Sequence, residues 1–151
     1  MSELFLVLEM AGERVALPAS RVESVVELES LTPVPGAAPH IAGLAALRSR
    51  VLTAVDPYHV LGRDPPARSG VCEAVMLEWD SHPYALLVDS VHDVVDAPGH
   101  ILPLKAALRP GWERVSSGMV EIDERVMLLI DVGAVLSGSD SPLKGLSTIA
   151  A

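Results

Sequence analysis

The sequence predicts a mainly β protein, built as two small antiparallel barrels packed on each other about a pseudo-twofold axis. Three observations point there. Short apolar runs rich in β-branched residues recur at close spacing, helix signals are few, and the chain contains an internal repeat. In order, strands are expected over Leu4–Met10, Arg14–Leu17, Val22–Leu28, Ile41–Leu47, Val51–Val55, Cys72–Trp79, Tyr84–Val88, Ser90–Val95, Val115–Ile122 and Val126–Ile130. Turn residues separate them at Ala11-Gly12-Glu13, Arg48-Ser49-Arg50, Asp80-Ser81-His82-Pro83 and Asp123-Glu124. One short helix is expected at Asp56-Pro57-Tyr58-His59-Val60-Leu61-Gly62, with Asp as N-cap, Pro at the first position and Gly past the end. A second Asp cap precedes the apolar turn Val132–Leu136. The segment 138–151 is expected to be loose or a short C-terminal helix.

The repeat appears when the chain is slid along itself. At an offset of 69, Val7–Val26 aligns without gaps to Met76–Val95, and Leu8, Glu9, Ala16 and Leu17 meet Leu77, Glu78, Ala85 and Leu86. At an offset of 75, Gly43–Leu61 aligns to Gly118–Leu136, and Gly43, Arg50, Val51 and Asp56 meet Gly118, Arg125, Val126 and Asp131. Each unit is too small to bury much core alone, so the two are expected to pack together.

Composition narrows the function. The chain has 151 residues, with 11 basic and 20 acidic side chains and a net charge of −9. Nucleic-acid binding needs a basic face to displace counterions from phosphate, and docking on anionic lipid needs the same sign. Hydrophobic residues make up 50%, which supports a packed core, but aromatics are only 3%, so that core must be aliphatic. Cys72 is the single cysteine, which excludes an intrachain disulfide and a cysteine-based zinc cage. The N-terminal residues Met1-Ser2-Glu3-Leu4 carry no targeting pattern, and no apolar run reaches the length of a membrane span. A cytoplasmic protein is the expectation.

Catalytic constellations are sparse. His92, with Asp89, Asp93 and Asp96, offers imidazole and carboxylates within a short stretch, and a small metal-dependent enzyme is the alternative this supports. Side chains alternate along a strand, however, so the group does not share a face, and a solvated polar face explains it better. No G-x-S-x-G elbow and no phosphate-binding glycine loop occurs. Cys72 reads as a structural thiol, Asp56 and Asp131 as helix caps, and Thr32–Pro39 as a rigid crossover between strands. A rigid acidic scaffold that serves as an interaction module fits these residues best.

Several pieces, in order, resemble the CheW-like domain of bacterial chemosensory coupling proteins and of the regulatory domain of CheA histidine kinases. They are Phe5–Glu9, Glu13–Pro18, Val22–Val25, Leu31-Thr32-Pro33-Val34-Pro35-Gly36, Ile41–Leu44, Ala46–Asp56, Tyr84–Val91 and Gly118–Asp131. Ala46–Asp56 falls where the family carries N-L-R-G-x-[VI]-[IL]-P-[VI]-[VI]-D. The resemblance spans about residues 3–137. It implies a domain over 1–137 made of two interleaved, five-stranded, SH3-like barrels. It also implies a non-catalytic adaptor without cofactor or metal, located in the cytoplasm and recruited to receptor clusters. Its implied partners are the signalling tip of a methyl-accepting chemoreceptor and the regulatory domain of a CheA-type kinase.

Site residues follow by position in the resemblance. Arg48 matches the signature arginine that meets array partners. Val22, Ser24, Val25, Gly43 and Ala85 match positions lining the receptor groove, and Val51 falls at the barrel end used for kinase docking. The signature Asn is here Ala46, its Gly is Ser49, its Pro is Thr53, and the Leu after its Asp is Pro57. Ser49 would make a left-handed turn costlier than glycine would. These departures imply an accessory form with weak or absent kinase binding, beside the full coupler.

Overall fold

The computed structural model describes residues 2–66, 70–98, 101–103 and 111–138. Among the described residues are ten strands, three short α-helices and one 3-10 turn, Ala19–Arg21. They are β1 (Ser2–Met10), β2 (Glu13–Pro18), β3 (Val22–Leu28), β4 (Ile41–Leu47), β5 (Arg50–Val55), α1 (Pro57–Val60), β6 (Cys72–Trp79), β7 (His82–Leu87), β8 (Ser90–Pro98), α2 (Trp112–Val115), β9 (Ser116–Ile122), β10 (Arg125–Ile130) and α3 (Val132–Ser137). The strands form two five-stranded sheets, ordered β8-β1-β2-β10-β9 and β3-β6-β7-β5-β4. Each is antiparallel except where β2 meets β10 and β5 meets β7. Each sheet curls until its edges face one another across an open seam, giving a half-open SH3-like barrel. We call the first sheet barrel 1 and the second barrel 2.

The repeat equates β1–β5 with β6–β10 one for one, and the two sheet orders are the same list under that exchange. Neither barrel is made of one copy. Barrel 1 takes β1 and β2 from the first copy and β8, β9 and β10 from the second. Barrel 2 takes β3, β4 and β5 from the first and β6 and β7 from the second.

Two-sided burial explains the unbroken apolar runs. Along β1, Phe5 and Val7 fill barrel 1 with Ala16, Val120, Ile122 and Leu129. Their neighbours Leu6 and Leu8 point the other way, into a core shared by both barrels. Along β6, Ala74 and Met76 fill barrel 2 with Leu52, Ala54 and Leu87, while Val75 and Leu77 join the shared core. The shared core also holds Trp112 of α2 and Val132, Val135 and Leu136 of α3. It is the largest of the three clusters, so the barrels are held together mainly by aliphatic burial.

The caps are as expected. Asp56, buried, accepts from the Tyr58 amide at 3.0 Å with Pro57 at the first helical position. Asp131 accepts from the Ala134 amide at 3.2 Å. Each bond satisfies an orphan amide, worth about 1 kcal/mol.

The structure corrects the sequence reading at several boundaries. Val115 does not begin a strand; it ends α2, a helix the sequence did not announce. His82 and Pro83 belong to β7, opposite Trp79 and Glu78, so the β6–β7 turn is Asp80-Ser81 alone. The expected tail falls almost wholly outside the described residues, which end at Gly138.

The glycines matched by the repeat have a shared physical role. A Cβ on Gly43 would lie 2.7 Å from the Thr32 carbonyl oxygen, and one on Gly118 would lie 2.8 Å from that of Leu102. In both places the crossover before the strand lies against it, joined by paired backbone bonds: Thr32 with Leu44, and Leu102 with Met119. A side chain there would lift the crossover off the strand.

His40 ties the barrels together at a second point. Its Nε2–H donates to the Leu136 carbonyl at 3.2 Å, at the end of α3, and its own carbonyl accepts from the Asp56 amide. Burial lowers the His40 pKa below its ordinary 6.5; the bond to Leu136 opposes that shift and nearby His59 adds to it. The unfolded chain therefore binds this proton more readily than the folded one. The contribution is present above about pH 6.5 and is lost as pH falls through the lowered folded value. Urea midpoints of wild type should drop between pH 7.5 and pH 5 by more than those of His40→Gln. Equal drops would refute the assignment.

Candidate docking groove on barrel 2

Barrel 2 is open where the free edge of β3 faces the β4–β5 turn. β3 pairs with β6 on one side only. The opening is a groove of roughly 590 Å³, with Glu23, Ser24, Val25 and Glu27 on one wall and Arg48, Ser49 and Arg50 on the other. Met76, Val26 and Leu47 also line it. The floor is aliphatic and the rim is charged.

Its polar groups are unevenly paired. Arg50 reaches across the seam to Glu23 at 3.5 Å, an exposed pair worth at most about 1 kcal/mol. The Ser24 hydroxyl donates to the Met76 sulfur at 3.3 Å, which fixes that rotamer over the floor. Arg48 is exposed and makes no ion pair among the described residues. A free guanidinium fork beside apolar surface suits a carboxylate or a row of carbonyls on a partner.

Arg48 also carries the strain of the turn. Its φ is +59°, a left-handed conformation rarely adopted by a long side chain. The expectation for Ser49 is corrected here: Ser49 is not among the residues with positive φ, so replacing glycine with serine costs that position nothing conformationally. The strain falls one residue earlier, on the exposed Arg48.

The expected site residues fall into two groups. Arg48, Ser24 and Val25 line the same groove. Val51 stands just beyond it, opposite Ala46 and 60% exposed. Val22 is half-buried against the shared core. Gly43 is buried beneath the crossover. Ala85 is fully buried inside barrel 2, so it shapes the sheet but presents no surface to a partner. Sequence reasoning missed Met76, Glu27 and the Glu23–Arg50 bridge. Strand alternation could have placed Glu23, Val25 and Glu27 on one face, but only the curl of the sheet brings them to the turn.

The residues of the metal alternative are not gathered into one cluster among the described residues. His92 Nε2 lies 3.0 Å from a Glu9 carboxylate oxygen, and Arg14 lies 3.8 Å from the same oxygen. Asp89 instead accepts from the Gly12 amide at 2.8 Å, and Asp93 accepts from the next amide, that of Val94. The carboxylates diverge because strand alternation and the β1–β2 turn claim them separately. Among the described residues no group of three or more His, Cys, Asp or Glu is arranged to hold a metal ion. No described helix is long and apolar enough to cross a membrane.

Comparison with known proteins agrees with the architecture. The model of the CheW-like domain family matches residues 4–140. Among solved structures, the scaffolding protein TtCheW from Thermoanaerobacter tengcongensis superposes with a TM-score of 0.75 at 23% identity, over 86% of this chain and 89% of that one. No match was found among curated proteins. The family match covers nearly every strand of both barrels, and the chain belongs to the CheW-like domain family.

Proposed function

We propose that the protein is a non-catalytic adaptor of a bacterial chemosensory complex. In this reading it links the signalling tip of a chemoreceptor to a CheA-type kinase regulatory domain, or acts as an accessory form that engages the receptor and binds the kinase weakly. The observation that carries the reading is the groove with, on its rim, an exposed Arg48 that makes no ion pair among the described residues, and exposed Val25 and Val51 beside it. Family membership supports the class of partner. The acidic surface and aliphatic floor support protein docking over chemistry.

A paired titration tests it, using a chemoreceptor tip fragment and, separately, a CheA regulatory domain from the same organism. Arg48→Glu should weaken the contact that uses this rim at least tenfold, since it replaces an attraction with a repulsion. Binding to both fragments means a full coupler, and binding to the receptor alone means the accessory form. Binding to neither would end the adaptor reading.

A further inference from the structure

The internal repeat sets His40 apart. At the offset of 75, His40 meets Val115, and the backbone does the same thing at both places. The Asp56 amide donates to the His40 carbonyl at 2.9 Å, and the Asp131 amide to the Val115 carbonyl at 2.7 Å. Val115 is 1% exposed and belongs to the shared core. The frame therefore accepts an apolar side chain, and nothing in the backbone calls for an imidazole. His59, the histidine that acts on His40, is also particular to this half, since the same offset places Ala134 at its position.

The imidazole is seated at the end of α3. Its Nε2 bonds to the Leu136 carbonyl, one of the carbonyls that a helix end leaves without an intrahelical partner. The ring also lies against Gly138, where a Cβ would come 2.7, 2.8 and 3.1 Å from Cε1, Nδ1 and Nε2. Gly138 is the left-handed cap of α3, at φ +85°, and its amide donates to the Val135 carbonyl at 3.3 Å.

A neutral imidazole with its proton on Nε2 suits this seat. A second proton goes to Nδ1, which faces Gly138, and no acceptor among the described residues meets it there. The surrounding charges give no relief. The crossover 32–39 and α3 carry none, and Asp131 stands at the far end of α3. Asp56, before α1, is buried and accepts from the Tyr58 amide, while His59 on α1 adds a like charge when protonated. A half-buried cation with an unpaired donor is costly, and the cost is relieved when the ring swings out to water.

We propose that His40 is an acid-released clasp: once protonated it leaves α3, the last turn of α3 opens, and the joint between the barrels loosens while each sheet stays intact. Leu136, 1% exposed in the shared core, is the residue the clasp holds in place. The clasp is independent of the docking groove and of any partner, and its test uses the full chain alone.

Amide hydrogen exchange followed residue by residue by NMR, corrected for the intrinsic pH dependence of exchange, reads the clasp. The Val135 and Gly138 amides should be protected at pH 7.5, and their protection should fall at least about threefold by pH 5. About 1 M urea should leave their exchange unchanged, because a local opening exposes little surface. Amides of the β6–β7 ladder should exchange more slowly and accelerate in the same urea. In the wild type the fall should share its midpoint with the titration of the His40 ring. His40→Val, the side chain found at the matching place, should give protection that does not change with pH. A wild type whose α3 amides ignore pH or are unprotected throughout, a midpoint apart from that of the His40 ring, a fall that responds to urea as the ladder does, or His40→Val falling like wild type would each overturn the proposal.

Discussion

Gly43→Ala is expected to lower stability by about 2–4 kcal/mol, combining an overpacked contact with a strained backbone. Gly43 has φ +152°, and its absent side chain leaves room for the Thr32 carbonyl. A methyl group there would sit 2.7 Å from a backbone oxygen, which cannot swing aside as a flexible side chain would. The crossover must then lift, breaking the two 2.8 Å bonds between Thr32 and Leu44. Gly118→Ala separates the two causes. Its φ is not positive, so only the close approach to Ile101 and Leu102 remains, and the loss should be smaller, about 1–3 kcal/mol. Urea unfolding followed by circular dichroism measures both. An unchanged midpoint for Gly43→Ala would mean that the crossover adapts freely and that the repeat of this glycine has another cause.

Trp112→Ala should cost about 3–5 kcal/mol, the range for removing a large buried aromatic. Trp112 is 1% exposed and lies in the core shared by both barrels, held in α2 by Gly111 at φ +96°. The cavity would open between the barrels, so both should loosen together. Trp79, the other tryptophan, remains as a fluorescent probe at the end of β6, where it packs near Tyr84 with ring centroids 6.3 Å apart. Thermal melts followed by Trp79 emission and by far-ultraviolet circular dichroism should shift by the same amount. Separate transitions would show that the barrels fold as independent units. The Trp112 indole N–H has no hydrogen-bond partner among the described residues, so Trp112→Phe removes a buried donor as well as volume and should cost clearly less than alanine.

Much of this fold could be read in advance because its signals are local. The strand β1 announces itself through Phe5-Leu6-Val7-Leu8, and the helix α1 through Asp56-Pro57 and Gly62. The glycines at 43 and 118 showed the repeat before their role as crossover seats was visible. The missing parts depend on long-range geometry. The helix α2 has four residues, too few for a periodic signal, and it begins after a left-handed glycine in place of a capping side chain. The left-handed residue of the β4–β5 turn is Arg48 rather than Ser49, which residue type alone does not reveal. Of the expected site residues, Arg48, Ser24 and Val25 converge because edge and turn meet across the seam. Ala85 carries the same small apolar character as a groove-lining residue, and only packing places it inside the barrel.

The exchange of strands between the two copies also dictates an order of assembly during synthesis. Barrel 2 is continuous from β3 to β7, so its last strand follows its first within one stretch of chain. Barrel 1 is not: the β1–β2 hairpin leaves the ribosome before all of barrel 2, yet its partners β8 and β10 follow after it. At roughly 5–20 residues per second, that hairpin waits on the order of ten seconds with Phe5, Val7 and Ala16 uncovered. Residues made before barrel 2 thus find their place after it. A nascent chain stalled before β8 would present a finished barrel 2 with a sticky N-terminal hairpin, the species on which a holding chaperone would act.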